Sequence, residues 1–192
     1  MNGQTDKRTN LYLLGFMGTG KSMIGRALAD KLKMRFIDSD AEIESKTGMS
    51  IKDIFEKFGE EHFRKLEREF IESGHPPFGC VVSCGGGMPC RDSMPELIKS
   101  KGISICLFAP VDIIYERVTK STKRPLMNVK NPRERIESLL KERYPFYIRS
   151  SICVSLGNQS AKECIELVLR AYKDAVKMRK TKKRRLFFKQ KR

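Results

Sequence analysis

Eight consecutive residues carry the plainest chemistry in this sequence. Gly15-Phe16-Met17-Gly18-Thr19-Gly20-Lys21-Ser22 fits the phosphate-binding pattern G-x-x-x-x-G-K-S/T at every fixed position. Its glycines let backbone N–H groups curl around an anion, and a helix starting behind them adds positive potential. Met17, Gly18, Thr19 and Gly20 form the cradle. Lys21 reaches the β- and γ-phosphates of a nucleoside triphosphate, and Ser22 holds Mg²⁺. The motif names a nucleotide and leaves the second substrate open.

Three further groups have chemical spacing. Asp38 and Asp40 stand two apart after a short apolar run, so in an extended segment both carboxylates project into one pocket. The alternative is that Asp40 only caps the helix that follows. Arg64 has Glu60 at i−4 and Glu67 at i+3, close enough on a helix to fix its guanidinium. A surface ion-pair helix is the commoner outcome of such a pattern. Gly85-Gly86-Gly87 directly follows an apolar strand, which suits a close approach of backbone to a ligand, or else a flexible turn. That strand lacks the terminal Asp that many phosphate-loop enzymes place near their metal, which makes Asp38 the nearest helper for Ser22, acting through metal-bound water.

The elements that must position these groups alternate between strand and helix. Residues 11–14 read as a buried strand, and 23–33 as a helix with Ile24, Ala27, Leu28 and Leu32 on one face. A second strand at 34–37 runs into the Asp pair, and a helix over 41–47 ends at Gly48. Ser50 and Asp53 resemble a capping box opening a helix with Ile51, Ile54, Phe55 and Phe58 inward. Gly59 breaks that helix, and 60–73 forms another. Strands follow at 80–84, 103–108 and 152–154, with helices at 92–101, 112–119 and 133–144, and a last helix from Ser160 that buries Cys164, Leu167, Val168 and Ala171. Strands alternating with helices predict an α/β fold with a parallel sheet. Where the helix at 112–119 gives way to the one at 133–144, residues 118–132 include the basic run Lys120 to Met127, which reads as a lid over phosphates or as an ordinary solvated loop.

Length and charge agree with one α/β domain in a chain of 192 residues. No apolar run approaches the ~20 residues of a membrane span, and the polar start shows no secretion signal, so a cytoplasmic location is expected. Of the formal +16 charge, residues 173–192 contribute +10, leaving the body mildly basic, as suits anionic substrates. The basic run at 177–189, interrupted by Leu186-Phe187-Phe188, could contact nucleic acid or an anionic membrane surface, or be a solvated extension. Six cysteines without a C-x-x-C pair, and two histidines, make no zinc pattern. Buried reduced thiols are expected, with Cys90 beside the glycines as the one to watch for reactivity.

The landmarks G-F-M-G-T-G-K-S, F-I-D-S-D, G-x-S-I-x-x-I-F-x-x-x-G-E-x-x-F-R-x-x-E, S-C-G-G-G, K-R-P-L and E-R-x-P-F-Y occur here in one order. Together they resemble shikimate kinase, from about Leu11 to Val168. The resemblance implies a five-stranded parallel sheet flanked by helices, like a nucleoside monophosphate kinase, and a monomer. It also implies Mg²⁺-dependent transfer of the γ-phosphoryl of ATP to the 3-hydroxyl of shikimate, on the route to aromatic amino acids. Arg64 and Arg143 take the places of carboxylate-binding arginines, and Asp40 that of the acid facing the ring hydroxyls. Gly86, within Gly85–Gly87, matches backbone contact with substrate. Asp38 matches an outer-sphere metal acid, Arg124 the lid arginine and Arg117 the adenine-side arginine. Gln159 stands where relatives place an adenine-side residue. The implied layout is a lead-in at 1–10, a kinase domain at 11–175 with a substrate-binding region near 40–75, and a basic tail at 176–192 that is no core feature of the family. A gluconate kinase of the same fold is the nearest rival, because gluconate is also an acidic polyol.

Overall fold

The computed structural model describes residues 8–91, 93–120, 130–150 and 152–189, with side chains for all of these except 150 and 182–189. Five strands, β1 (Leu11–Leu14), β2 (Arg35–Asp38), β3 (Cys80–Ser83), β4 (Ile103–Phe108) and β5 (Ile152–Ser155), form one sheet in the order β2-β3-β1-β4-β5. Every pairing is parallel. Parallel neighbours need crossovers, supplied by α1 (Lys21–Leu32), α2 (Ser39–Thr47), α3 (Ile51–Ser73), α4 (Met94–Lys101), α5 (Val111–Thr119) and α6 (Pro132–Ser150), with α7 (Ala161–Lys189) closing the fold.

The period of two along each strand divides the core. Leu11 and Leu13 of β1 pack with Ile103, Ile105 and Leu107 against Ile24 and Leu28 of α1 and Val168 and Tyr172 of α7. Tyr12, Leu14, Val82 and Cys106 face the opposite layer, with Ile54 and Phe63 of α3, Ile98 of α4, Ile114 of α5 and Ile136 of α6. All four residues of β1 are buried, since the central strand is covered on both faces. All functional loops therefore leave the same carboxyl edge of the sheet, where parallel α/β folds bind ligands.

The turn chemistry follows the expected residues. Gly48 closes α2 in the left-handed region, and the Ser50 side chain accepts from the Asp53 N–H at the start of α3. Gly59 interrupts α3 with φ 79° and ψ 174°, a conformation open essentially to glycine alone. Several expectations need correction. Asp38, not Asp40, caps α2, accepting from the Asp40 N–H at 3.2 Å, because β2 passes into the helix without a linker. Phe58 is 48% exposed and stacks on His62, since Gly59 ends the buried stripe beside it; Leu167 is also exposed. Helix α6 continues through Pro145 to Ser150. Cys153 is exposed on β5, an edge strand, and α7 runs on to Lys189. The centre of the expected lid, with Arg124, lies outside the described residues. Among the described residues no helix is long and apolar enough to cross a membrane.

Candidate active site

The phosphate loop spans β1 and the start of α1. Thr19 is buried, and its hydroxyl donates to the Phe16 carbonyl at 2.8 Å, pinning the turn. Gly15 (φ 127°) passes so close to β4 that a Cβ there would lie 2.4 Å from the Leu107 carbonyl oxygen. Lys21 Nζ donates to the carbonyls of Gly15 and Phe16 at 2.9 and 3.0 Å, so it arches over the loop where phosphate oxygens would sit. Arg117 of α5 donates to the Gly18 carbonyl at 3.1 Å, which holds it against the phosphate loop. Met17 packs against the core beside it.

Ser22 Oγ donates to Asp38 Oδ2 at 3.0 Å and lies 3.2 Å from the hydroxyl of Ser83 at the end of β3. These are oxygen donors only, and among the described residues no cluster of three His, Cys, Asp or Glu could cage a metal. Such a sparse, hard set fits Mg²⁺, which keeps most of its waters and takes its other oxygens from phosphate.

Beside this cradle the three glycines lie against the acid and arginine side chains. A Cβ at Gly85 would stand 2.6 Å from Asp40 Oδ1 and 3.2 Å from Glu67 Oε1; one at Gly87 would stand 2.9 Å from both terminal nitrogens of Arg64. At Gly86 it would lie 3.5 Å from the Met17 nitrogen and 3.8 Å from Arg143 Nη1. The glycine turn thus touches Asp40, Arg64, Arg143 and the phosphate loop at once. Arg64 donates to Glu60 Oε1 through Nε (3.1 Å) and Nη2 (2.8 Å), and to Glu67 Oε2 through Nη1 (2.7 Å). Its side chain is only 17% exposed and that of Glu67 2%, which rejects the surface ion-pair alternative.

Burial, then the neighbouring Asp38, raises the Asp40 carboxyl above its ordinary range against the pull of Lys21. Burial also lifts Glu67, to about 7, with Asp40 adding to the rise and Arg64 opposing it. For Arg64, burial disfavours the cation, but Glu67 and Glu60 outweigh it and hold the guanidinium charged. A pocket with this balance of cations and proton-hungry carboxylates suits an anionic polyol next to a phosphoryl donor.

Residues 17–173 match the sequence model of the shikimate kinase family. The chain belongs to the shikimate kinase family. Membership makes it an ATP-dependent phosphotransferase of the shikimate pathway, yielding shikimate 3-phosphate and ADP. It is 41% identical over 163 residues to the shikimate kinase of Thermodesulfovibrio yellowstonii, covering 85% of this chain and 94% of that protein. With the shikimate kinase of Actinobacillus pleuropneumoniae serotype 5b the identity is 43% over 157 residues, 81% and 91% of the two chains. The structure of shikimate kinase from Acinetobacter baumannii in complex with shikimate superposes with a TM-score of 0.80 at 35% identity, over 86% of this chain and 93% of that one. A gluconokinase from Sinorhizobium meliloti reaches a TM-score of 0.57 at 17% identity, a likeness of fold alone.

Set against a shikimate kinase site, one expectation changes, that for Cys90, and Gln159 has a local partner. Gln159 accepts from the Gly157 N–H at 2.5 Å, so its side-chain oxygen closes the turn after β5. Cys90 is not poised for reaction, because burial pushes its thiol up to about 11. Four contributors were not singled out from the sequence for the roles the structure gives them. Ser39, fully buried, accepts from the Gly85 N–H at 2.9 Å and donates to Asp40 Oδ1 at 3.3 Å. Ser83 reaches Ser22, Glu67 walls the pocket, and Phe16 lies under Arg143, 5.7 Å from ring centre to guanidinium carbon. Only Glu67, through its spacing from Arg64, left a readable trace.

Proposed function

We propose that this chain phosphorylates shikimate by holding Mg²⁺-ATP on the phosphate loop and the ring acid on the glycine-turn side. Arg64 and Arg143 grip the shikimate carboxylate, because a guanidinium offers paired donors to a carboxylate. The turn Gly85–Gly87 presents backbone to the ring, with no Cβ to displace Asp40 or Arg64. Asp40 faces the 3-hydroxyl, orients it and accepts its proton as the oxygen bonds to the γ-phosphorus and the bond to the β-phosphate oxygen breaks. Its raised affinity for protons favours that transfer. Lys21 offsets the charge moving onto the leaving phosphate, and Arg124 does the same from the lid. Arg117 and Gln159 lie on the adenine side. Positioning and electrostatics thus supply most of the rate gain. Ser22 would hold Mg²⁺, with Asp38 acting through water, and the ion would supply charge neutralisation for the phosphates.

The observation that carries this reading is the position of Gly86, where a Cβ would lie within 4 Å of both the phosphate loop and Arg143. A donor phosphoryl and an acceptor acid bound there are neighbours. A coupled ADP-release assay with shikimate, gluconate and nucleoside monophosphates tests it; shikimate alone is expected to turn over, and turnover of gluconate without shikimate would overturn the assignment.

The proposed organisation is a lead-in at 1–10, a monomeric cytoplasmic kinase domain at 11–175 with its lid at 118–132, and a separate tail. Ten net positive charges from 173 onward suit a polyanion, either nucleic acid or an anionic membrane surface. Salt-dependent binding lost on removing residues after Met178 supports that contact, and its absence at low salt counts against it.

A further inference from the structure

Tyr147 sits one turn beyond Arg143 on α6, on the same face, and is 1% exposed. Its hydroxyl donates to the Gly86 carbonyl at 2.7 Å. Arg143 Nη1 would lie 3.8 Å from a Cβ at Gly86, so the arginine and the phenol of one helix face meet the same glycine. Phe108, at the end of β4, packs edge-on against the ring, with centroids 6.2 Å apart at 81°. No peptide bond in the described structure is cis. The Gly86 carbonyl and the Gly87 N–H therefore point in opposite directions from one rigid plane. With the carbonyl fastened to Tyr147, that N–H is turned away from the buried ring. Among the described residues it finds no acceptor, whereas the N–H groups of Met88 and Cys90 bond back to Gly85 and Gly87.

A glycine peptide is the easiest plane in a chain to rotate. An unpaired donor beside Asp40 and Arg64 serves a ligand only if something fixes its direction. We infer that Tyr147 is a positioning residue for the acceptor substrate: its hydroxyl sets the 86–87 peptide so that the Gly87 N–H faces a substrate oxygen. The inference rests on the shikimate reading of this pocket. It adds a group that need not touch substrate and acts through the glycine turn that does.

The test is steady-state kinetics of Tyr147→Phe, which removes the hydroxyl and keeps the ring. The shikimate KM is expected to rise roughly three- to tenfold, the loss of one or two oriented hydrogen bonds. The ATP KM and the melting temperature should stay near the parent values. Phe108→Leu is the control, because it loosens the ring's packing and leaves the hydroxyl in place. It is expected to lower the melting temperature with little change in shikimate KM. An unchanged shikimate KM in Tyr147→Phe overturns the inference. So does an equal rise for both substrates, or a Phe108→Leu variant that reproduces the shift. Failure of the parent chain to turn over shikimate would instead remove the reading beneath it, so the two failures are distinct.

Discussion

Asp40 shares its pocket with Glu67 and lies near Asp38, and Lys21, Arg64 and Arg143 offset that negative charge. Asp40→Asn keeps the shape and removes the base. Turnover should fall about 10²- to 10⁴-fold while ATP still binds, measured by coupled kinetics and calorimetry. Because burial and Asp38 raise its pKa, kcat/KM for shikimate should decline on acidification at a pH above the usual carboxylate range. The pH–rate profile of the parent checks this, and the limb should vanish in Asp40→Asn. Arg64→Lys leaves one ammonium where a fork met the carboxylate; the shikimate KM should rise about tenfold with a smaller change in kcat. Glu67 gives a stability prediction with a definite sign. Its folded-state pKa, about 7, exceeds its ordinary 4.5, so between those values the folded protein holds the extra proton. Stability relative to Glu67→Gln should therefore fall as pH rises from about 4.5 to about 7, by roughly 1–3 kcal/mol, and level off above that. Urea unfolding across that range measures it.

At the scale of elements, the site depends on two backbone segments with no room or no tolerance for a side chain. The turn after β3 is crowded by the groups it serves. Gly85→Ala would drive a methyl into Asp40, and Gly87→Ala would drive one into Arg64. The first should lower kcat most and the second raise the shikimate KM most, with nucleotide affinity little changed in both. Gly59 differs in kind: a Cβ there meets nothing within 4 Å, yet its φ of 79° and ψ of 174° exclude other residues. Gly59→Ala should destabilise the fold by about 1–3 kcal/mol through the backbone alone, read from thermal or urea unfolding. That break lets the second half of α3 set out in its own direction, carrying Glu60, Arg64 and Glu67 to the sheet edge.

Over the whole molecule, one parallel sheet gathers β1, β2 and β3 so that the phosphate loop, the Asp pair and the glycine turn leave adjacent strand ends. The order β2-β3-β1 makes Ser83 the neighbour of both Ser22 and Asp38. Helix α7 belongs to the body as far as Ala175 and Val176, where Tyr172 also donates to the Thr9 carbonyl at 2.6 Å. A chain ending after Met178 should therefore keep its melting temperature within a few degrees and its shikimate turnover unchanged. A cut before Tyr172 removes core contacts and should unfold much of the domain.

The amino-acid sequence by itself determined the chemistry that is local. The phosphate loop, the Gly48 and Ser50 caps, the Gly59 break and the five strands were legible because each depends on residues within a few positions of one another. So was the Arg64 clamp, since i−4 and i+3 spacings survive into any helix. Tertiary structure decided what lies together across long separations. It placed Asp40 against Gly85, Ser22 against Ser83 and Tyr147 against Gly86, pairs 45, 61 and 61 residues apart in the chain. It also decided that Cys90, half-buried, has its thiol pushed up to about 11 and that Asp38 rather than Asp40 caps α2. The reason is physical: spacing fixes which side chains share a face, but desolvation and charge coupling exist only once the faces have packed.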